Sequence, residues 1–417
     1  MTFLSYDKGE KCLIKLGKVK MKYTPLTIDV NLRAEGFVVD MNSLFARLAS
    51  LHDQRDARGL RYRLVTVLVF IVLAKLAGED RLRGIAEWVM QRKEGLAEAL
   101  GLAIAQAPHA STYSRILARA VNPVEFERVV SQFFASQPEA GRSVVIVLDG
   151  KTLRGTIPAG QTRGVHLLAA YVADEGWVVM QVEVAGWENE IGAAMRVVKC
   201  LDLRGKVVTG DAMLAQRHLS NQIVRAGGDY VWTVKGNQSE LREDIEVLFQ
   251  QEVCVPGTSP VPKDFGKAST IDKGHGRIEQ RSITVSSLLK GYLDWPYAEQ
   301  VFQLEREFVR VKDGKVSHQV AYGVTSLTAE QASPQRLLDL VRSHWRIENG
   351  LHYRRDETLR EDHSQLRMGH AAQVMAVINN LVLGLLLRQG VKNVPQERRR
   401  FAAHPHEALR LILCHPT

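Results

Sequence analysis

The spacing of apolar positions changes character along the chain. From Ser43 to about Phe134 they recur at helical spacing, in LVTVLVFIVLAKL, IAEWVMQRKEGLAEAL and EFERVVSQFF, which predicts a small all-helical domain over 43–140. At Gly141 the texture shifts to short β-branched runs: SVVIVLD (143–149), GVHLLAAYVAD (164–174) and WVVMQVEVAG (177–186), the last two joined by a tight turn at Asp174, Glu175 and Gly176. A helix near NEIGAAMRVVKCL, the run KVVTGD (206–211), a helix near AQRHLSNQIVRAGG and the run YVWTVKG (230–236) follow, so the order reads βββ, α, β, α, β. Residues 239–327 interrupt it with one helix, a Pro- and Gly-rich loop and strands near RIEQRSITV, QVFQLEREFV and HQVAYGVTSL, an inserted β-rich element. A last helical block begins at Ser333, an N-cap ahead of Pro334. It closes an α/β domain over 141–390 and leaves 391–417 as a tail and 1–42 as an extension without a period.

Composition narrows the partners. The chain has 417 residues, 45% hydrophobic and 24% charged, enough to bury a sizeable core. A net charge of +9 favours a polyanion, nucleic acid or an anionic membrane, over an acidic small molecule. Two apolar runs, 64–78 and 371–387, are expected to be buried helices rather than membrane spans, because Lys75 breaks the first and Gln373, Asn379 and Asn380 lie inside the second. The N-terminal segment lacks a signal peptide's apolar stretch, so a cytoplasmic, nucleoid-associated protein is expected. Cys12, Cys200, Cys254 and Cys414 form no C-x-x-C pair, which argues against a structural zinc site. HASTYSRILARA (109–120), after Pro108 and a turn, exposes Ser111, Thr112, Ser114, Arg115 and Arg119 and has the look of the second helix of a helix-turn-helix; a helix with one solvated face reads equally well.

The candidate chemistry lies at strand ends. In a βββαβ unit the crossover returns the fourth strand parallel to an earlier one, and if KVVTGD lies beside SVVIVLD, Asp149 and Asp211 end neighbouring strands. Alone, each would read as a turn or cap residue. In HWRIENGLHYRRDETLREDH (344–363), read as helix, His344, Glu348, His352 and Arg355 share one face beside Val341 and Trp345, so that helix is placed to deliver Glu348 to the two aspartates. Two Asp and one Glu make a hard oxygen site suited to Mg²⁺ or Mn²⁺, and a pair of such ions supports phosphodiester chemistry.

At these residues the chain resembles the DDE transposases of bacterial insertion sequences, in the ISAs-type subgroup that includes the H-repeat-associated proteins. The resemblance runs from Ser43 to Gln389 and is carried by LDGKTLRG (148–155), TGDAMLAQ (209–216), YVWTVKGNQ (230–238), HGRIEQR (275–281) and HWRIENGLHYRRDETLREDHS (344–364). It implies an RNase H-like catalytic domain with a β-rich insertion between the second Asp and the Glu, and Asp149, Asp211 and Glu348 as the triad holding two metal ions. A broader group of insertion-sequence enzymes places Arg four positions before the glutamate and Lys seven after it; this chain has His344 and Arg355 there. The implied activity is cleavage at the terminal inverted repeats and transfer of the freed 3′-OH to target DNA, by a homodimer in a synaptic complex. Lys151, Arg154, Lys235, His275, Arg277, Arg281, Arg346 and Arg355, all beside the motifs, are the expected phosphate contacts. A metal-dependent nuclease or resolvase, and a DNA-binding relic that has lost its chemistry, are the rival readings. A nucleotide-binding oxidoreductase is weaker, because no strand is followed by G-x-G-x-x-G.

Overall fold

The computed structural model describes residues 43–56, 58, 60–102, 105–137, 144–250, 264–274 and 276–414, together with two short antiparallel strands, β1 (Ser5–Asp7) and β2 (Lys11–Leu13). Six helices come first: α1 (Leu44–Ala49), α2 (Leu64–Leu76), α3 (Leu82–Gln91), α4 (Lys93–Ala99), α5 (Ala110–Arg119) and α6 (Pro123–Ala135). Their starts are chemically marked. Ser43 Oγ accepts from the Ala46 N–H, and Asn122 Oδ1 accepts from Val124 and Glu125 ahead of a helix that opens on Pro123. Helix α2 is buried at every position, Lys75 included, and burial holds the Lys75 pKa below its usual value although Asp80 lies 3.3 Å away. Among the described residues no helix is long and apolar enough to cross a membrane.

The rest alternates: β3 (Val145–Thr152), β4 (His166–Val172), β5 (Trp177–Glu183), α7 (Glu190–Cys200), β6 (Val207–Gly210), α8 (Arg217–Arg225), β7 (Asp229–Val234) and α9 (Ser239–Phe249). Four further strands follow, β8 (Gly266–Gly274), β9 (Arg277–Ser286), β10 (Gln300–Arg310) and β11 (Val316–Thr325). The chain then continues through α10 (Pro334–His344), α11 (Ala371–Leu387), α12 (Val394–Ala403) and α13 (Pro405–Leu413). The result is a mixed α/β fold around one nine-stranded sheet, ordered β5-β4-β3-β6-β7-β11-β10-β9-β8. Strands β3, β4 and β5 form the expected antiparallel meander, and β6 lies parallel to β3 with Val145 opposite Val207. Side chains alternate across the sheet: Val145 and Val147 join the core under α6, α10 and α11, whereas Ile146 and Leu148 join the core under α7 and α8.

Two expectations need correction. The β-rich insertion joins the central sheet, β11 pairing with β7. It also has four strands where three were expected. The missed one, β8, is an edge strand whose residues alternate only between half-buried and exposed, so GKASTIDKG carries no apolar period. The second correction concerns the C-terminus. Residues 394–413, read as tail, form α12 and α13, which pack on α1 and α2, and Leu44, Phe45 and Leu48 share one core with Leu409, Ile412 and Leu413.

One buried polar network ties the layers together. The Arg355 guanidinium, 0% exposed, donates to Glu361 Oε2 at 2.8 Å, Gln181 Oε1 at 3.0 Å and Asn380 Oδ1 at 3.2 Å. Asn379 donates to the other Glu361 oxygen at 2.7 Å. Thus the two asparagines that interrupt the apolar run of α11 are partners of a buried ion pair. Glu127 of α6 borders this network, and burial pushes its pKa up to about 8. A carboxyl whose folded pKa lies above its unfolded value costs stability as pH rises from the unfolded value toward 8, because only the unfolded chain ionises freely. Glu127→Gln is therefore expected to remove a loss of roughly 3–5 kcal/mol between about pH 4.5 and pH 8. Denaturation midpoints of parent and variant across that range check it; parallel pH profiles would show that Glu127 ionises normally.

Candidate active site

The parallel pairing of β3 with β6 runs to Leu148 opposite Gly210, which sets the next residues, Asp149 and Asp211, side by side; Asp149 does not end its strand as expected, because β3 runs on to Thr152 paired with β4. The Asp211 Oδ1 accepts from the Met213 and Leu214 N–H groups, capping a 3₁₀ turn over Ala212–Leu214. Asp149 Oδ1 accepts from Gly150 N–H at 3.0 Å, and Asp149 Oδ2 lies 2.9 Å from His352 Nε2. A pocket of about 410 Å³ opens beside Asp211, lined also by Lys235, Arg306, His344 and Trp345.

The segment bearing Glu348 is not the continuous α-helix expected over 344–363. Helix α10 ends at His344; Glu348–His352 and Arg354–Thr358 are π-helical; Arg360 then turns left-handed at φ 50°, before a 3₁₀ turn over Glu361–His363. π-winding changes which residues share a face, and it is frequent at functional sites. Here His352 is buried onto Asp149, Arg355 points into the core, and Glu348 is exposed. The charges of Asp149, Asp211, Glu348 and Lys235 all reach His344, whose Nδ1 is buried without a partner and whose pKa burial holds below the ordinary histidine value. As they stand, no three His, Cys, Asp or Glu side chains among the described residues cluster tightly enough to hold one ion.

Much of the motif sequence serves to brace this edge. Lys151 Nζ lies 2.6 Å from the Asp356 carboxylate and 3.8 Å from Asp362, and the Arg154 N–H donates to Asp362. A side chain on Gly155 would lie 2.0 Å from the Ser364 carbonyl oxygen, so only glycine lets the two segments close. LDGKTLRG is thus clasped by the end of the Glu348 segment. Asn237 and Gln238 donate to the Ala212 and Ala215 carbonyls, holding the turn after Asp211. A polar chain that sequence spacing could not reveal runs from Thr152 Oγ1 through His166 to Glu190 Oε1, with 2.7 Å at each step. It sets Glu190 against Gly150, where a Cβ would lie 2.2 Å from the carboxylate.

The expected phosphate contacts divide by environment. Arg355 is corrected outright: fully buried in the core network, it lies out of reach of a DNA backbone. Lys151 is 9% exposed and committed to Asp356 and Asp362. Arg281 is paired with Asp272 and Glu279, while Arg346 is exposed and paired with Asp174. Arg154 and Arg277 are exposed, Lys235 lines the pocket at Asp211, and His275 lies outside the described residues. The insertion is fastened to α10 by Arg342 donating to Asp272 at 2.9 Å and by Arg306 stacked 5.2 Å from the Trp345 ring centroid.

The family model for the transposase DDE domain matches residues 140–385, and that for the DDE transposase-associated region matches 45–134. The chain belongs to the DDE transposase family. Its relatives place it with the H repeat-associated type. It is 27% identical over 363 residues to YncI, a candidate transposase of Escherichia coli O157:H7, covering 85% of this chain and 91% of that protein. It is 25% identical to the H repeat-associated candidate transposase YhhI of Escherichia coli K12, covering 90% and 98%. A piggyBac transposase synaptic complex with hairpin DNA aligns over 88% of this chain and 79% of its own at 11% identity and a TM-score of 0.39, a likeness too weak to bear on fold or function.

Proposed function

We propose that the protein cuts DNA at the ends of an insertion sequence and joins the freed 3′-OH to target DNA, with Asp149, Asp211 and Glu348 as its triad. The observation that carries this reading is the parallel pairing of β3 with β6, which sets Asp149 and Asp211 side by side where that pairing stops, with the Glu348 segment hydrogen-bonded to Asp149 through His352. The order β5-β4-β3-β6-β7 supports an RNase H-like core continued by the insertion strands. The donor set is all oxygen and fits Mg²⁺ or Mn²⁺. Among the described residues Asp149 engages its neighbour's N–H and His352, Asp211 keeps Oδ2 outside the turn, and Glu348 is exposed. When bound, a pair of such ions activates the attacking oxygen and stabilises the leaving one. The chain's own contribution is positioning: His352 fixes Asp149, the 3₁₀ turn fixes Asp211, and Lys235 and His344 present polar hydrogens toward an incoming phosphate.

Purified protein incubated with labelled DNA from the flanks of its gene and Mg²⁺ should nick at the element boundary and yield joined products. Cleavage without joining would support a nuclease or resolvase, and inertness with intact binding would support a relic.

Binding is expected to draw on α5. Its inner face, Tyr113, Ile116 and Leu117, is buried, and Arg115 and Arg119 are exposed on the other side. Replacing both by Ala should weaken affinity for duplex DNA by about tenfold and lessen the salt dependence by roughly two phosphate contacts. A gel-shift titration over a salt series measures it; unchanged affinity and slope would assign α5 a solvated face only.

A further inference from the structure

A second, cationic cleft lies on the α10 face of the sheet, at the start of β3, four residue steps before Asp149. Its volume is about 970 Å³, and Val145, the first residue of β3, and the β4–β5 turn at Asp174–Gly176 form one wall. Arg281, Arg336, Arg342, Arg346, Arg354 and Lys392 line it, six cations against the carboxylates of Asp174, Glu175 and Asp339. The sources are dispersed: the insertion, α10, the π-helical segment and the loop after α11 each contribute. Arg346 is held by Asp174, and Arg281 and Arg342 by Asp272, so these three are fixed in place. Arg336 and Lys392 are exposed and make no ion pair among the described residues. Trp345, 53% exposed, borders both this cleft and the pocket at Asp211, and so forms the ridge between them.

We propose that this cleft grips the phosphodiester backbone of the DNA whose scissile phosphate lies at Asp149 and Asp211. The inference rests on the DNA-cutting reading above and names the surface that holds the substrate away from the chemistry. Open, polar and net cationic, with a planar ridge at its mouth, the cleft suits a polyanionic strand rather than a compact apolar ligand. Val145 and Asp149 are four residue steps apart along β3, about 13 Å at ~3.3 Å per residue, so a backbone that spans both places meets the cleft within a few nucleotides of the cleaved phosphate.

The test uses Arg336→Glu/Lys392→Glu in the full chain, with Arg336→Gln/Lys392→Gln as a milder pair. The control of matched charge is Lys199→Glu/Arg225→Glu, two exposed positions on α7 and α8 across the sheet. The probe is a fluorescein-labelled DNA duplex of arbitrary sequence, titrated over a salt series without divalent metal. The cleft pair should bind at least about tenfold more weakly, with a log-affinity against log-salt slope shallower by about two, while the control stays near the parent. On end DNA, with single neutral methylphosphonates placed in turn within a few nucleotides of the cleavage point, at least one position should weaken the parent and not the glutamate pair. Parent-like binding by both cleft pairs, or an equal loss in the control, overturns the proposal. Cleft-dependent binding by a parent that never cuts its own ends would instead overturn the transposition reading and leave the cleft standing.

Discussion

Asp149→Asn is expected to abolish end cleavage and strand transfer while leaving DNA binding intact. The amide keeps the size of the carboxylate and can still accept from the Gly150 N–H, the local hydrogen bond that the parent side chain makes. It loses the negative charge on which a hard divalent cation depends, and with it stabilisation of both the attacking and the leaving oxygen. A loss of at least about 10³-fold in rate, equivalent to ~4 kcal/mol in the barrier, is the scale expected. Affinity draws on cations elsewhere and should not fall, since a carboxylate beside a phosphate is repulsive. Gel shift and nicking, scored separately on labelled end DNA with Mg²⁺, read the two quantities. Nicking at the parental rate would remove Asp149 from the site; loss of binding together with nicking would point to a folding defect.

Arg355→Met should destabilise the protein by about 3–5 kcal/mol, because it strands the buried Glu361 carboxylate without its main partner. The Arg355 side holds Glu361 below the usual carboxylate range against the opposing effect of burial. Adding Glu361→Gln to the same chain should restore much of the loss, since removing both charges avoids the uncompensated one. Denaturant midpoints for the two single variants and the double variant give the coupling, and the folded Arg355→Met protein should bind DNA as the parent does. A variant that kept its stability and lost DNA affinity would return Arg355 to the phosphate-contact role that its sequence position suggests.

The adjacency of Asp149 and Asp211 was legible because it depends on short-range pattern, β-branched runs leading to aspartate, and on a crossover whose handedness limits the pairing; the run of β3 beyond Asp149 to Thr152 was not. His344, Glu348, His352 and Arg355 were legible as a group but not in their directions. Spacing assumes α-winding, and the π-turns after Ile347 send His352 to Asp149, Arg355 into the core and Glu348 to the surface. A sequence pattern cannot report a rise in residues per turn that tertiary contacts impose. For a related reason Asn379 and Asn380 stand out in an apolar run while concealing their partners, which come from β5 and from the segment after Glu348. The ion pair of Lys151 with Asp356 joins residues distant in the chain, so spacing could not reveal it. Strand β8 was missed for want of a buried face.

The packing of α1 and α2 against α12 and α13 has a consequence for synthesis on the ribosome. The first core to leave the exit tunnel is among the last to be completed, since Leu409, Ile412 and Leu413 are translated almost at the end. At ~5–20 residues per second, the apolar surface of α2 waits roughly 17–70 s for its cover, a period in which chaperones have access to it. A gene copy cut short near its 3′ end would therefore yield a product whose beginning, not only its end, is left unfolded.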